Sequence, residues 1–410
     1  MDKLIKRLYI IYNTACSYSD VLLCNHKHLT KGEKTKFRSQ SCINSKHARW
    51  LAQNIVICIV NDGLNIIFLR CLSANIWNIT LIMKVTLLII VLYFCHCEGE
   101  AVVRKDDVPV TSRPIIGILS QEQHYQYKGK YSKEDYTSYI AASYVKSLES
   151  AGAGVVPIMI GKERAYYKDL MQKLNGVLMP GGATYFNQSN GYADAGEHIL
   201  GIAKEMNDAG DYFPIFATCL GFELLIILES SRGYPENRVA CYSFDNRPLH
   251  FTEAYSTSKL FRNAPEDIID LLANNDITVN SHQFCILDEN LRSQNLTEDW
   301  RVTSHSDDEN GVEFIASMEH TRYPFYGVQF HPEKVPFEWK EGKNYPNSAD
   351  AVKANRYFMD FFISESRKSG HSFGRHKENE YLIYNYVPQF TGLINSAYNQ
   401  CYMFEPRGTR

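Results

Sequence analysis

From Arg113 onward the chain alternates between short apolar, β-branched runs and longer stretches whose apolar residues recur every three or four positions. The first short run, "RPIIGILS", reads as a strand buried on both faces of a sheet. "KEDYTSYIAASYVKSLESAGA" follows, with Tyr139, Ala142, Val145 and Leu148 at helical spacing and Gly152 as the stop. The alternation then continues through strand "GVVPIMI", helix "ERAYYKDLMQKL", strand "NGVLMPGG", helix "YADAGEHILGIAKEMNDAG", strand "YFPIFATC" and helix "LGFELLIILESS". Strict alternation of this kind predicts parallel βαβ units and a sheet covered on both faces. Between Cys241 and Val279 the signals are mixed. "VEFIASMEH" and "YPFYGVQFHPEK" then predict two more strands, and "SADAVKANRYFMDFFISESRKS" a closing amphipathic helix. The tail after Gly370, rich in Tyr and Asn, is not expected to add core. No repeat or low-complexity linker interrupts the pattern, so residues 100–410 read as one α/β domain.

The stretch before this region has a different character. "MKVTLLIIVLYFCHCEGE", starting at Met83, carries one Lys, an apolar run from Val85 to Phe94, and small residues near Gly99. It reads as a secretory signal peptide over residues 83–99, too short in its apolar part to span a bilayer comfortably. Residues 1–82, with no sustained period, read as a non-native or disordered extension ahead of the true initiator. Two sequons, at Asn187 and Asn295, are then open to glycosylation. The expected destination is secreted or lysosomal/vacuolar, with no stable membrane insertion.

Composition narrows the function classes. A net charge of −3 gives no electrostatic case for nucleic acid. Only Cys219, Cys241, Cys285 and Cys401 follow residue 99, too few for a disulfide scaffold, and no His/Cys spacing suits zinc. If Cys219 stays a free thiol, at most one disulfide forms among the other three.

Ligands of open α/β sheets bind beyond the carboxyl ends of the strands. Three chemical candidates fall at such ends: Gly181-Gly182, Cys219, and His331 with Glu333. Cys219 lies between an apolar strand and a helix, with Ala217 and Gly221 two residues either side, as a nucleophile on a tight turn requires. The following helix N-terminus favours the thiolate, and the Leu220 N–H can face a developing oxyanion. His331 can act as base and then acid, with Glu333 reaching back to orient it. Gly181 or Gly182 could supply the second oxyanion N–H.

Together "RPIIGILSQ", "YIAASYVKSLESAG", "LMPGGA", "FATCLGFELL", "YGVQFHPEK" and "TGLINSAYNQCYMF" resemble the gamma-glutamyl hydrolase family, also called folylpolyglutamate hydrolases. That family belongs to the class I glutamine amidotransferase-like superfamily. The resemblance runs in order from Arg113 to Phe404. It implies a flavodoxin-like three-layer sandwich with a central, mostly parallel sheet. It also implies cleavage of γ-linked glutamates from folylpolyglutamates by a Cys-His pair, without metal or cofactor, in a homodimer that no residue pattern reveals. Cys219 then matches the nucleophile, His331 the base, Glu333 the acidic third member, and His282 in "VNSHQF" a histidine handling substrate. Glu223 replaces the glutamine common in amidotransferases, which favours the hydrolase branch. A polyanionic substrate calls for cations near the site, with Arg322 and Lys334 as candidates. Two other readings stay open: a glutaminase subunit feeding ammonia to a synthetase, and an inactive binding homologue.

Overall fold

A computed structural model of the chain describes residues 111–123, 127, 136–230, 238–374, 377–394 and 396–405. The leader expected at residues 83–99 and the sequence upstream of it lie outside the described residues. Eight strands form the central sheet. Their spatial order is Gly154–Ile158, Ile115–Leu119, Gly176–Met179, Ile215–Thr218, Phe325–Val328, Glu313–His320, Trp300–Asp307 and His250–Phe251. The first five run parallel; the last three join antiparallel.

Alternation along each strand divides the core in two. Ile116, Leu178 and Phe216 point to one face, where Ala142–Ser150 and Ala349–Ser366 pack. Val177, Met179 and Ala217 point to the other, covered by Arg164–Met171, Tyr192–Asp208 and Leu220–Glu229. This is the three-layer α/β sandwich that the strand–helix alternation predicts. Both faces are dry because the crossover helices cover them, so the strands carry unbroken apolar runs.

Two expectations need correcting. The segment read as one long helix from Lys133 begins among its described residues as a strand, Ser138–Ala141, and turns helical only at Ala142. The tail does add core. Its strand Gln400–Phe404 pairs antiparallel with Ser138–Ala141, and Ile383, Tyr398, Cys401, Met403 and Phe404 are buried. This pairing supplies the partner that draws Ser138–Ala141 into extended backbone, overriding a helical spacing that only Tyr139 had extended backward. The region of mixed signals, Cys241 to Val279, holds the short strands Asn246–Arg247 and His250–Phe251 and the helix Glu266–Asn274, and at its borders Val239–Ser243 pairs with His282–Cys285 in a ribbon stapled by a Cys241–Cys285 disulfide. Cys219 and Cys401 are free, as the limit of one disulfide allows.

Candidate active site

Cys219 ends the strand Ile215–Thr218 and caps the helix Leu220–Glu229, with φ of 49° and ψ of −110°. A non-glycine residue with positive φ costs about 1–3 kcal/mol and persists only where the surroundings over-determine it. They do so here. The Cys219 N–H donates to the Val328 carbonyl at 2.8 Å, and the Cys219 carbonyl accepts from the Glu223 N–H at 2.9 Å. Gly221 lets the helix approach the neighbouring strand, since a Cβ there would lie 2.2 Å from the Met179 carbonyl oxygen.

His331 follows the adjacent strand Phe325–Val328. Its Nδ1 lies 2.7 Å from Glu333 Oε1; a carboxylate only accepts, so Nδ1 carries the proton and Nε2 is left as the base. The imidazole and the thiol meet across Gly181: a Cβ built there would lie 2.6 Å from His331 Cε1 and 3.0 Å from Cys219 Cβ. Burial pushes the Cys219 thiol pKa well up, and the Glu223 carboxylate adds to this. The Lys334 ammonium and the Leu220 N–H act the other way. Burial pulls His331 below the usual histidine range, against the pull of Glu333. Burial thus works against a charged thiolate and a charged imidazolium alike, while Lys334 and the Leu220 N–H favour the thiolate and Glu333 the imidazolium.

The Gly181 N–H donates to the Tyr144 hydroxyl at 2.8 Å, and that hydroxyl also lies 3.3 Å from His331 Nδ1. Gly181 is thus committed to Tyr144, correcting its expected place among the oxyanion donors. Its Cβ-less backbone serves the close approach of Cys219 and His331 instead. Gly182 lies beneath the Gln121 amide, whose Nε2 donates to the Pro180 and Gly181 carbonyls at 3.0 and 3.1 Å.

His282 reaches the site from the disulfide-stapled ribbon. Burial, with His331 close by, lowers its pKa to about 4, so it is neutral. Its Nε2 lies 3.3 Å from Asn280 Oδ1, while Nδ1 is buried with no partner among the described residues. Arg322 is not at the site: it precedes the histidine-bearing strand, at the sheet's opposite end, and is exposed and paired with Asp208. Lys334 is at the site, only 1% exposed. Asn187 and Asn295 are both exposed.

Besides Tyr144, three residues at the site escaped the sequence reading. Gln329 Nε2 donates to Glu223 Oε1 at 3.1 Å and lies 3.9 Å from Cys219 Sγ; its signal was a lone amide inside the apolar run "YGVQF". Arg238 closes a buried pair with Glu223 at 2.6 Å, its guanidinium stacked 4.0 Å from the Phe284 ring centroid. This pair offsets the burial that raises the Glu223 pKa. Tyr398, from the tail, sets its hydroxyl 3.4 Å from the Gly181 carbonyl.

The peptidase C26 family model matches residues 114–333. A gamma-glutamyl hydrolase of Rattus norvegicus is 41% identical over 298 residues, covering 72% of this chain and 90% of the relative. The gamma-glutamyl hydrolase of Homo sapiens is 38% identical over 296 residues, with the same coverage of 72% and 90%. That of Glycine max is 32% identical over 311 residues, covering 76% and 90%. A turn-borne cysteine beside a glutamate-oriented histidine suits a peptidase of this type, and the chain belongs to the gamma-glutamyl hydrolase family.

Proposed function

We propose that the protein hydrolyses γ-glutamyl amide bonds through a Cys219 thioester, with folylpolyglutamates as the substrate class. The observation that carries this is Cys219 held at positive φ on a helix N-terminus, within reach of a histidine whose Nδ1 is fixed by Glu333. His331 Nε2 takes the thiol proton as sulfur attacks the γ-carbonyl carbon. The oxyanion turns to the Leu220 N–H and, with Gly181 committed to Tyr144, to the Gly182 N–H. The C–N bond breaks as His331 returns the proton to the departing amine. Water, deprotonated by the same nitrogen, then attacks the thioester and releases the shortened acid and free thiol. Neutral His282, close to His331, would contribute to substrate handling without adding a cation beside it.

The disulfide and the two exposed sequons support passage through the secretory pathway, where disulfides persist. The test is mass spectrometry of products from a folate pentaglutamate, with the Cys219→Ala variant beside the wild type. Shortened folates from the wild type alone are expected. Intact substrate with ammonia released from free glutamine would overturn the reading in favour of a glutaminase.

A further inference from the structure

Lys334 is as buried as Cys219 and His331, yet no direct ion pair holds its ammonium among the described residues. Among the described residues no carboxylate lies within ion-pair distance of its Nζ. Of two buried acids nearby, Glu333 gives Oε1 to His331 while its Oε2 has no partner among the described residues, and Glu338, which feels the Lys334 charge, accepts from the Asn399 N–H at 2.8 Å. The ammonium lies instead 4.4 Å from the ring centroid of Tyr398 and 5.9 Å from that of Tyr345. Tyr398 is the residue whose hydroxyl reaches the Gly181 carbonyl, so the cation shares a wall with the glycine between thiol and imidazole. Both Cys219 and His331 feel its charge.

A desolvated cation resting on aromatic rings, with no carboxylate within ion-pair distance, is an unfinished ion pair. Within the hydrolase reading, which this inference rests on, an anion comes to the site in every turnover. Each γ-glutamyl bond is flanked by two α-carboxylates, one on the acyl-side glutamate and one on the leaving glutamate. We infer that Lys334 is the specificity-determining residue that binds an α-carboxylate flanking the scissile amide. Its buried charge is then completed only when the correct substrate is bound. A neutral chain of the same shape leaves the ammonium unpaired and is rejected, the asymmetry that makes buried polar groups selective.

The experiment compares p-aminobenzoyl-glutamyl-γ-glutamate with its two mono-amides, one neutral at the acyl-side α-position and one at the leaving side. Wild type is expected to lose about 100-fold in kcat/KM with one of the amides, at the low end of the cost of breaking a buried charge pair. The amide that suffers identifies the carboxylate bound. Lys334→Met is expected to level that preference, and Lys334→Arg to restore part of it. An undiminished preference in Lys334→Met, or equal loss on all three substrates, would overturn the inference.

Alkylation of Cys219 gives a readout that needs no turnover. The rate ratio of iodoacetate to iodoacetamide is expected to fall about tenfold in Lys334→Met, the loss of one modest charge contact. An unchanged ratio counts against the inference even where the variant is inactive. Wild type that cleaves none of the three substrates sinks the hydrolase reading, and the alkylation ratio still reports on Lys334.

Discussion

Replacing Gly221 with alanine tests whether the catalytic turn depends on close packing of helix against strand. The added Cβ would lie 2.2 Å from the Met179 carbonyl oxygen, 2.7 Å from its carbon and 2.9 Å from the Met179 Cβ. Two of these atoms are backbone, so no side-chain rotation relieves the clash. Ordinary contact requires the helix Leu220–Glu229 to withdraw by roughly 1 Å, and overpacking of this kind costs about 1–3 kcal/mol. The same withdrawal carries the Leu220 N–H and the Cys219 backbone away from the substrate, and a 1 Å misplacement can cost about 100-fold in rate. Denaturant melts and kcat/KM on a γ-diglutamate substrate measure the two effects together. Gly201→Ala provides the control. It sits inside the helix Tyr192–Asp208, where a Cβ would meet only the Arg164 guanidinium at an ordinary 3.6 Å. That variant is expected to gain about 0.5–1 kcal/mol, with wild-type activity. A Gly221→Ala protein with wild-type stability and kcat/KM would refute the reasoning.

Two further outcomes follow from buried groups. His282, held near a pKa of about 4 against an ordinary 6.5, stays neutral in the folded protein while its unfolded counterpart binds a proton. Its contribution is therefore complete above pH 6.5 and lost as pH falls toward 4, about 3 kcal/mol in all. His282→Gln should flatten that part of the stability–pH curve, and an unchanged slope between the two pH limits would discount the burial argument. The Cys241–Cys285 bridge closes a loop with a sequence separation of 44. Replacing both cysteines with serine should cost about 4 kcal/mol by loop-closure entropy, seen as a lower denaturation midpoint. A midpoint that does not move would show the loop to be ordered without it.

The legible parts of the sequence were those in which one local pattern decides the outcome. The runs around Ile116, Val155, Val177 and Ile215 become strands because both faces of the sheet are buried. The turn at Cys219 is marked by small neighbours because helix and strand must meet there. What escaped depends on partners distant in the chain. Ser138–Ala141 read as helix because its partner, Gln400–Phe404, lies at the far end of the described residues. Tyr398 sits in a tail whose Tyr and Asn content gives no periodic signal, though its ring packs in the core. Gly181 was read correctly as a close-approach glycine. Which group takes its N–H could not be read, because Tyr144 arrives from a different helix.

The late strand Gln400–Phe404 ties catalysis to the integrity of the far end of the domain. Tyr398, just ahead of this strand, touches the Gly181 carbonyl, and through Ser138–Ala141 the strand steadies the start of the helix that presents Tyr144 to His331. A protease cut between Lys377 and Asn399 would leave the proposed trio Cys219, His331 and Glu333 in place yet unseat the wall behind it. For anyone producing the enzyme, the carboxyl-terminal flank is thus an unsuitable place for a bulky fusion partner, and intact mass after storage is a better gauge of competence than the state of the thiol.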